Sequence, residues 1–147
     1  MKALIDTCIA IDFLQKCEPF AESAYEIFKA SSTGEISGYI TAKSATDIYY
    51  LMHRFTHSDE ASRARMNLLL ELVGLLDTAA NDILHGLSSN VSDFEDAVMV
   101  ETAISNRMDC IITRNINDYT KAAIPVYTPD EFLEHFDFKY KESDYKY

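Results

Sequence analysis

Cys110-Ile111-Ile112-Thr113-Arg114-Asn115 is the stretch on which the fold turns. Three apolar residues are followed at once by a hydroxyl, a cation and an amide. A strand buried on both faces reads this way where it reaches the surface at its carboxyl end. The chain opens on the same pattern, with Ala3-Leu4-Ile5 running into Asp6 and Thr7. Shorter runs at 38–41, 75–76 and 125–127 read as further strands. Helical spacing fills the intervals, at 9–14, 19–30, 42–57, 60–73, 79–87 and 92–107. In the second, Ala24, Ile27 and Phe28 face inward, Pro19 opens the helix and Thr33-Gly34 stops it. In the third, Ala45, Ile48, Leu51, Met52 and Phe55 share one face. Pro129 opens a last helix. Short strands alternating with helices predict an α/β domain, three-layer α/β/α, around a short parallel sheet. Such a sheet gathers ligands at its carboxyl edge, where Asp6 and Thr113-Arg114-Asn115 both fall.

The 147 residues fit one domain, expected over 1–137. Residues 138–147 alternate charge and tyrosine without apolar periodicity and read as a loosely held tail. Cys8, Cys17 and Cys110 are odd in number and lack Cys-x-x-Cys spacing, as expected of reduced packing thiols in the cytoplasm. No apolar run is long enough to cross a bilayer, and Asp6 and Asp12 break up what could pass for a signal segment. A glycine-rich phosphate loop and a nucleophile elbow are both missing. A phosphoacceptor receiver would need an acid pair after the first strand and a late lysine, and neither is evident. His53 and His57 stand one helical turn apart, but without a glutamate or cysteine companion for zinc.

Charge carries the chemistry. Of 24 acidic residues, several fall where an acid is costly. Asp6 follows residues that belong to the core, so it either caps the next helix or faces a cation. Asp47 lies at the edge of an apolar stripe, where a solvated aspartate would serve as well. Ser92-Asp93-Phe94-Glu95 has capping-box spacing, with Ser92 as cap and Glu95 reaching back. On the helical wheel, however, Asp93 falls inside the Ala97-Val100-Ile104 stripe and Asp96 at its border. Glu101 is also in that stripe, without an assigned role. Asp118 follows the fourth strand in an asparagine-rich turn. Hard oxygen donors in this number suit magnesium or manganese. Lys43, Arg54, Arg63, Arg65 and Arg114 could meet phosphates, and Tyr49 and Tyr50 could stack on bases. Against this, the formal net charge is −11, unfavourable for a nucleic-acid binder unless a local basic patch or a basic partner intervenes.

Taken together and in order, these segments resemble the PIN-domain family, including the VapC-type toxins of bacterial toxin–antitoxin pairs. Ala3-Leu4-Ile5-Asp6-Thr7 is similar to the first family motif. Thr41 to Leu51 is similar to the second, with Asp47 where glutamate is commonest. Asp93-Phe94-Glu95-Asp96-Ala97 resembles the third, and Cys110 to Tyr119 the fourth. The resemblance implies a Mg²⁺- or Mn²⁺-dependent endoribonuclease leaving 5′-phosphate and 3′-hydroxyl ends. By it Asp6, Asp47, Asp96 and Asp118 hold the metals, with Asp93 as a supplement. Thr7, Thr113, Arg114 and Asn115 position water or phosphate. Cys8 stands where serine or asparagine is frequent, and Asn115 where some relatives carry an acid. The expected partners are an RNA substrate, an antitoxin protein and a second copy of the chain. The alternative is a PIN fold without catalysis, serving as scaffold or RNA-binding module.

Overall fold

In the computed structural model, which describes residues 1–136, the first strand, β1 (Lys2–Ile5), lies at the centre of a five-stranded sheet. β2 (Ser37–Thr41) pairs on one side of it and β4 (Cys110–Ile112) on the other. β3 (Gly74–Leu76) and β5 (Val126–Tyr127) form the edges, and every pairing is parallel. Spatial order is therefore β3-β2-β1-β4-β5. The chain builds outward from β1 in one direction and then returns to β1's other side. That reversal opens a crevice between the carboxyl ends of β1 and β4.

Side chains leave the strands alternately to two cores. Ala3, Ile5, Cys110 and Ile112 point into the larger one. It is covered by α1 (Thr7–Gln15), α2 (Ala21–Ser32), α3 (Ala42–Thr56), α4 (Asp59–Leu72) and α7 (Pro129–His135). Leu4 and Ile111 point the other way, against Ala97, Val100 and Ala103 of α6 (Phe94–Ser105). α5 (Ala80–Leu87) packs on α6. Asp82, buried in the first turn of α5, accepts from Ala79 N at 2.8 Å and from Thr102 Oγ1 at 3.3 Å, which pins the two helices together. The three-layer parallel architecture is the expected one, and each expected strand and helix is present.

Three local expectations are corrected. Phe55 shares the inward azimuth of α3 but lies in its last turn, beyond the reach of the core. It is 59% exposed, with the Arg65 guanidinium 5.7 Å from its ring. The helix expected from Ser92 begins at Phe94, so Asp93 rather than Ser92 is the cap; its extended backbone takes it off the helical wheel that placed it inward. Pro19 precedes α2 by two residues instead of opening it. Among the described residues no helix is long and apolar enough to cross a membrane. The expected boundary at 137 and the tail over 138–147 lie outside the described residues.

Candidate metal-binding nuclease site

Asp6 extends the β1 ladder by one hydrogen bond, from its backbone N to Ile112 O at 2.9 Å. The chain then turns into α1, and the Asp6 carboxylate caps that helix by accepting from Thr7 N at 2.7 Å through Oδ1. Its other oxygen, Oδ2, accepts from Thr113 Oγ1 at 2.7 Å. Thr113 is fully buried and receives a hydrogen bond from Asn115 N at 3.1 Å, which sets the loop after β4. The two readings of Asp6, cap and site residue, therefore hold together. Cys8 Sγ lies 3.8 Å from Asp6 Oδ2 and 3.9 Å from Thr113 Oγ1, so the thiol stands beside this carboxylate. Burial first, and then the Asp6 charge, push the Cys8 thiol upward from its ordinary pKa.

Tyr119, at the end of a 3-10 turn (Ile116–Tyr119), is buried beneath the crevice. Its hydroxyl lies 3.0 Å from Asp96 Oδ1 and 3.4 Å from Asp6 Oδ2. One phenolic hydrogen thus stands between carboxylates contributed by β1 and α6. Burial raises the tyrosine pKa far above its ordinary value, and the two carboxylates add to the effect. Tyr119 is consequently a donor at any physiological pH. Asp96 itself is pushed up to about 6, by burial first. The Tyr119 hydrogen bond opposes that rise, and the negative charges of Asp93, Asp6 and Asp118 add to it. Like charges that cannot spread apart favour a proton or a cation.

Asp47, on α3, completes the acidic lining of the same cleft. The cleft holds about 530 Å³ and is lined by Asp6, Asp47, Asp96, Thr7, Arg114 and Asn115 among others. The Asp47 carboxylate is half exposed, 3.0 Å from Lys43 Nζ, and the same ammonium is 3.4 Å from Glu95 on α6. Burial would lower the lysine pKa, but the two acids outweigh it and the net shift is upward. Glu95 therefore crosses the cleft mouth to Lys43 instead of closing a capping box. Asp93 caps α6 by accepting from Asp96 N at 3.0 Å. Asp118 is exposed on the 3-10 turn. Neither lines the cleft, and both act on Asp96 through charge. Glu101 turns to His85, whose Nδ1 is 3.9 Å away.

Among the described residues no three histidine, cysteine, aspartate or glutamate side chains stand close enough together to enclose a metal ion. The donors that do converge are the Asp6 and Asp96 carboxylates. This suits Mg²⁺ or Mn²⁺, which are commonly held by one or two carboxylates with waters and substrate phosphate completing the shell. It does not suit a closed all-protein cage. Sequence reasoning passed over Tyr119, whose signal was a lone aromatic after the Asn-rich turn, and Asp12, which is buried against Arg114.

The family model described as PIN domain matches residues 2–117. No curated protein sequence matches this one. Among solved structures, VapBC2 from Rickettsia felis bound to a promoter DNA fragment superposes with a TM-score of 0.68 at 14% identity, covering 86% of this chain and 97% of that one. VapBC from Salmonella typhimurium bound to DNA gives 0.66 at 16% identity, covering 88% and 98%. Mycobacterium tuberculosis VapC20, a sarcin-ricin loop cleaving toxin, gives 0.59 at 11% identity, covering 74% and 86%. At these identities the likeness is one of fold, but the family match spans both strands that frame the crevice and the helices that carry Asp47 and Asp96, and on that ground the chain belongs to the PIN domain family.

Proposed function

We propose that this PIN-domain chain is a Mg²⁺- or Mn²⁺-dependent endoribonuclease that acts in the cytoplasm as the toxin of a toxin–antitoxin pair. One observation carries the reading. Asp6 and Asp96, ninety residues apart, meet at a single buried phenolic hydroxyl beneath a cleft that both line and to which Asp47 also contributes. A bound divalent cation would supply an activated water and offset charge on the phosphate. The chain's own groups do the rest. Thr113 and the backbone of Thr7 fix the Asp6 carboxylate. Tyr119 holds Asp96 in place beside it. Asp47 approaches from α3, with Asp93 and Asp118 adding negative potential, and Arg114 and Asn115 stand where a phosphate would enter. In hydrolysis that leaves a 5′-phosphate, a water oxygen bonds to phosphorus as the P–O3′ bond breaks, and the 3′ oxygen leaves with a proton.

The solved relatives named VapBC support an antitoxin partner, and a dimer of this chain is part of the same proposal. A basic antitoxin segment would also answer the net charge of −11. RNA incubated with the chain and Mn²⁺ should be cut, and EDTA should stop it. D6N and D96N should each lower the rate about 100-fold while remaining folded. Full cleavage by D96N would overturn the mechanism. A second reading, a PIN scaffold or RNA-binding module without catalysis, is favoured by Lys43, which already pairs with Asp47 and also contacts Glu95. Such a chain would bind RNA in EDTA and leave it intact with Mn²⁺ or Mg²⁺ across the pH range.

A further inference from the structure

Asp12 is one of two acids, with Asp82, that are almost fully buried and that the proposed chemistry does not use. It sits on α1 at 1% exposure and comes within 2.8 Å of Arg114 Nε through Oδ2. The Arg114 N–H is poorly aligned with that oxygen, so charge rather than a directed hydrogen bond holds the two together. The guanidinium also lies 4.2 Å from the centre of the Phe20 ring, a cation–π distance. Phe20 comes from the turn before α2, and Arg114 from the loop after β4 that also carries Thr113. Two separate segments thus converge on a cation carried by a third.

Burying a carboxylate is costly, and burial does raise the Asp12 pKa, with Arg114 opposing the rise. A cation meant only to neutralise Asp12 could be buried with it. Arg114 is instead one-third exposed and lines the cleft beside Asp6 and Asn115. With its Nε edge turned to Asp12, the terminal edge of the planar fork remains for a second anion. We infer that Asp12 is a positioning residue: from beneath, together with the Phe20 ring, it fixes the Arg114 guanidinium at the cleft wall so that its free edge receives an RNA phosphate. The inference rests on the nuclease reading only for the identity of the anion.

Charge counting gives the opposite expectation, which makes the test sharp. D12N removes a negative charge from an already acidic chain, and it also removes the carboxylate that competes with phosphate for Arg114. If Asp12 were merely structural, folded D12N would bind RNA equally well or more tightly. The positioning role requires weaker binding. Affinity is read with a labelled single-stranded RNA oligonucleotide in EDTA, so that no catalysis is involved, over a range of salt. R114A should weaken binding about tenfold and flatten the salt dependence by about one phosphate contact. D12N should weaken it about threefold or more, and F20L, at a half-exposed position that tolerates change, should do the same. In the R114A background D12N should have no further effect. Unchanged or tighter binding by folded D12N overturns the inference, as does an equal loss in the R114A background. If D12N proves unfolded, F20L binding as the parent does overturns it too. Should the parent chain fail to bind RNA at all, the inference falls with it. Cleavage with Mn²⁺ is scored separately: a parent that binds but does not cut loses the nuclease and keeps the positioning role, whereas intact cleavage with D12N binding normally does the reverse.

Discussion

Asp96 shows how a single side chain can report on a site. Its folded-state pKa is pushed up to about 6 by burial and by Asp93, Asp6 and Asp118, against 3.8 as the ordinary value. A group that holds its proton more tightly when folded contributes stability at low pH and loses it as pH rises through the folded pKa. Well below 3.8 both folded and unfolded chains are protonated there, and the contribution is fully present. Between 4 and 6 it declines, and above 6 the charged carboxylate is a burden on the metal-free fold. D96N removes that burden, while its amide oxygen can still accept from Tyr119. In metal-free buffer the urea midpoint of D96N should exceed the parent's at pH 7.5, and the gap should close near pH 4. An equal midpoint at pH 7.5 would show that neither burial nor the neighbouring acids disfavour the Asp96 carboxylate. Asp6 was readable in the sequence because an acid directly after a core strand has few inexpensive explanations. Asp93 was misread because a helical wheel assumes the residue is already in the helix, and the first two positions of 92–107 are not. The contacts of Tyr119 and Asp12 were missed because their partners are distant in sequence and no local spacing encodes them.

At the scale of elements, the period of the pattern was enough to place the strands. β1 and β4 each carry a three-residue apolar run, Ala3-Leu4-Ile5 and Cys110-Ile111-Ile112, whose neighbours on both faces are apolar, the setting of a parallel sheet between helical layers. What the pattern could not supply was the fit between helices. Gly86, near the end of α5, illustrates it. A Cβ there would lie 3.0 Å from Val98 Cγ2, 3.4 Å from Val98 N and 3.5 Å from its Cα, so backbone as well as side chain stands in the way. Helix propensity alone makes Gly→Ala favourable by about 1 kcal/mol. The close approach to α6 reverses the sign. G86A should destabilise the fold by about 1–3 kcal/mol in urea titration, because overpacking against a backbone cannot relax cheaply. It should also disturb metal binding, since Val98 lies two residues from Asp96 and itself lines the cleft. A stabilised G86A would mean that α5 can slide on α6 without cost. The same contact explains why the helix start mattered more than its existence: α6 presents Asp96 to the crevice from its first turn, and a register shift of one residue would turn it away.

For the molecule as a whole, two electrostatic effects of cations have to be separated. A chain with a formal charge of −11 is stabilised by any salt, because screening relieves general repulsion among its acids. That response is gradual and depends on ionic strength, with no preference for a particular residue. A cation held by Asp6 and Asp96 behaves differently: it binds the folded chain alone, so stability rises as RT ln(1 + [L]/Kd). At 100 times Kd the gain is about 2.7 kcal/mol, which for a chain of this size is a rise in Tm of roughly 5–10 °C. At constant ionic strength, Mn²⁺ at millimolar levels should therefore raise Tm along a saturating curve, while an equivalent of NaCl should not. D6N should abolish the saturating component and leave the response to NaCl unchanged, since one charge among 24 acids hardly alters the general repulsion. The Mn²⁺ effect should weaken below about pH 6, where protons occupy Asp96 in competition with the metal. If D6N and the parent respond to Mn²⁺ alike, the ion is acting on the acidic surface at large, and the convergence of Asp6 and Asp96 on Tyr119 is a feature of packing rather than a metal centre.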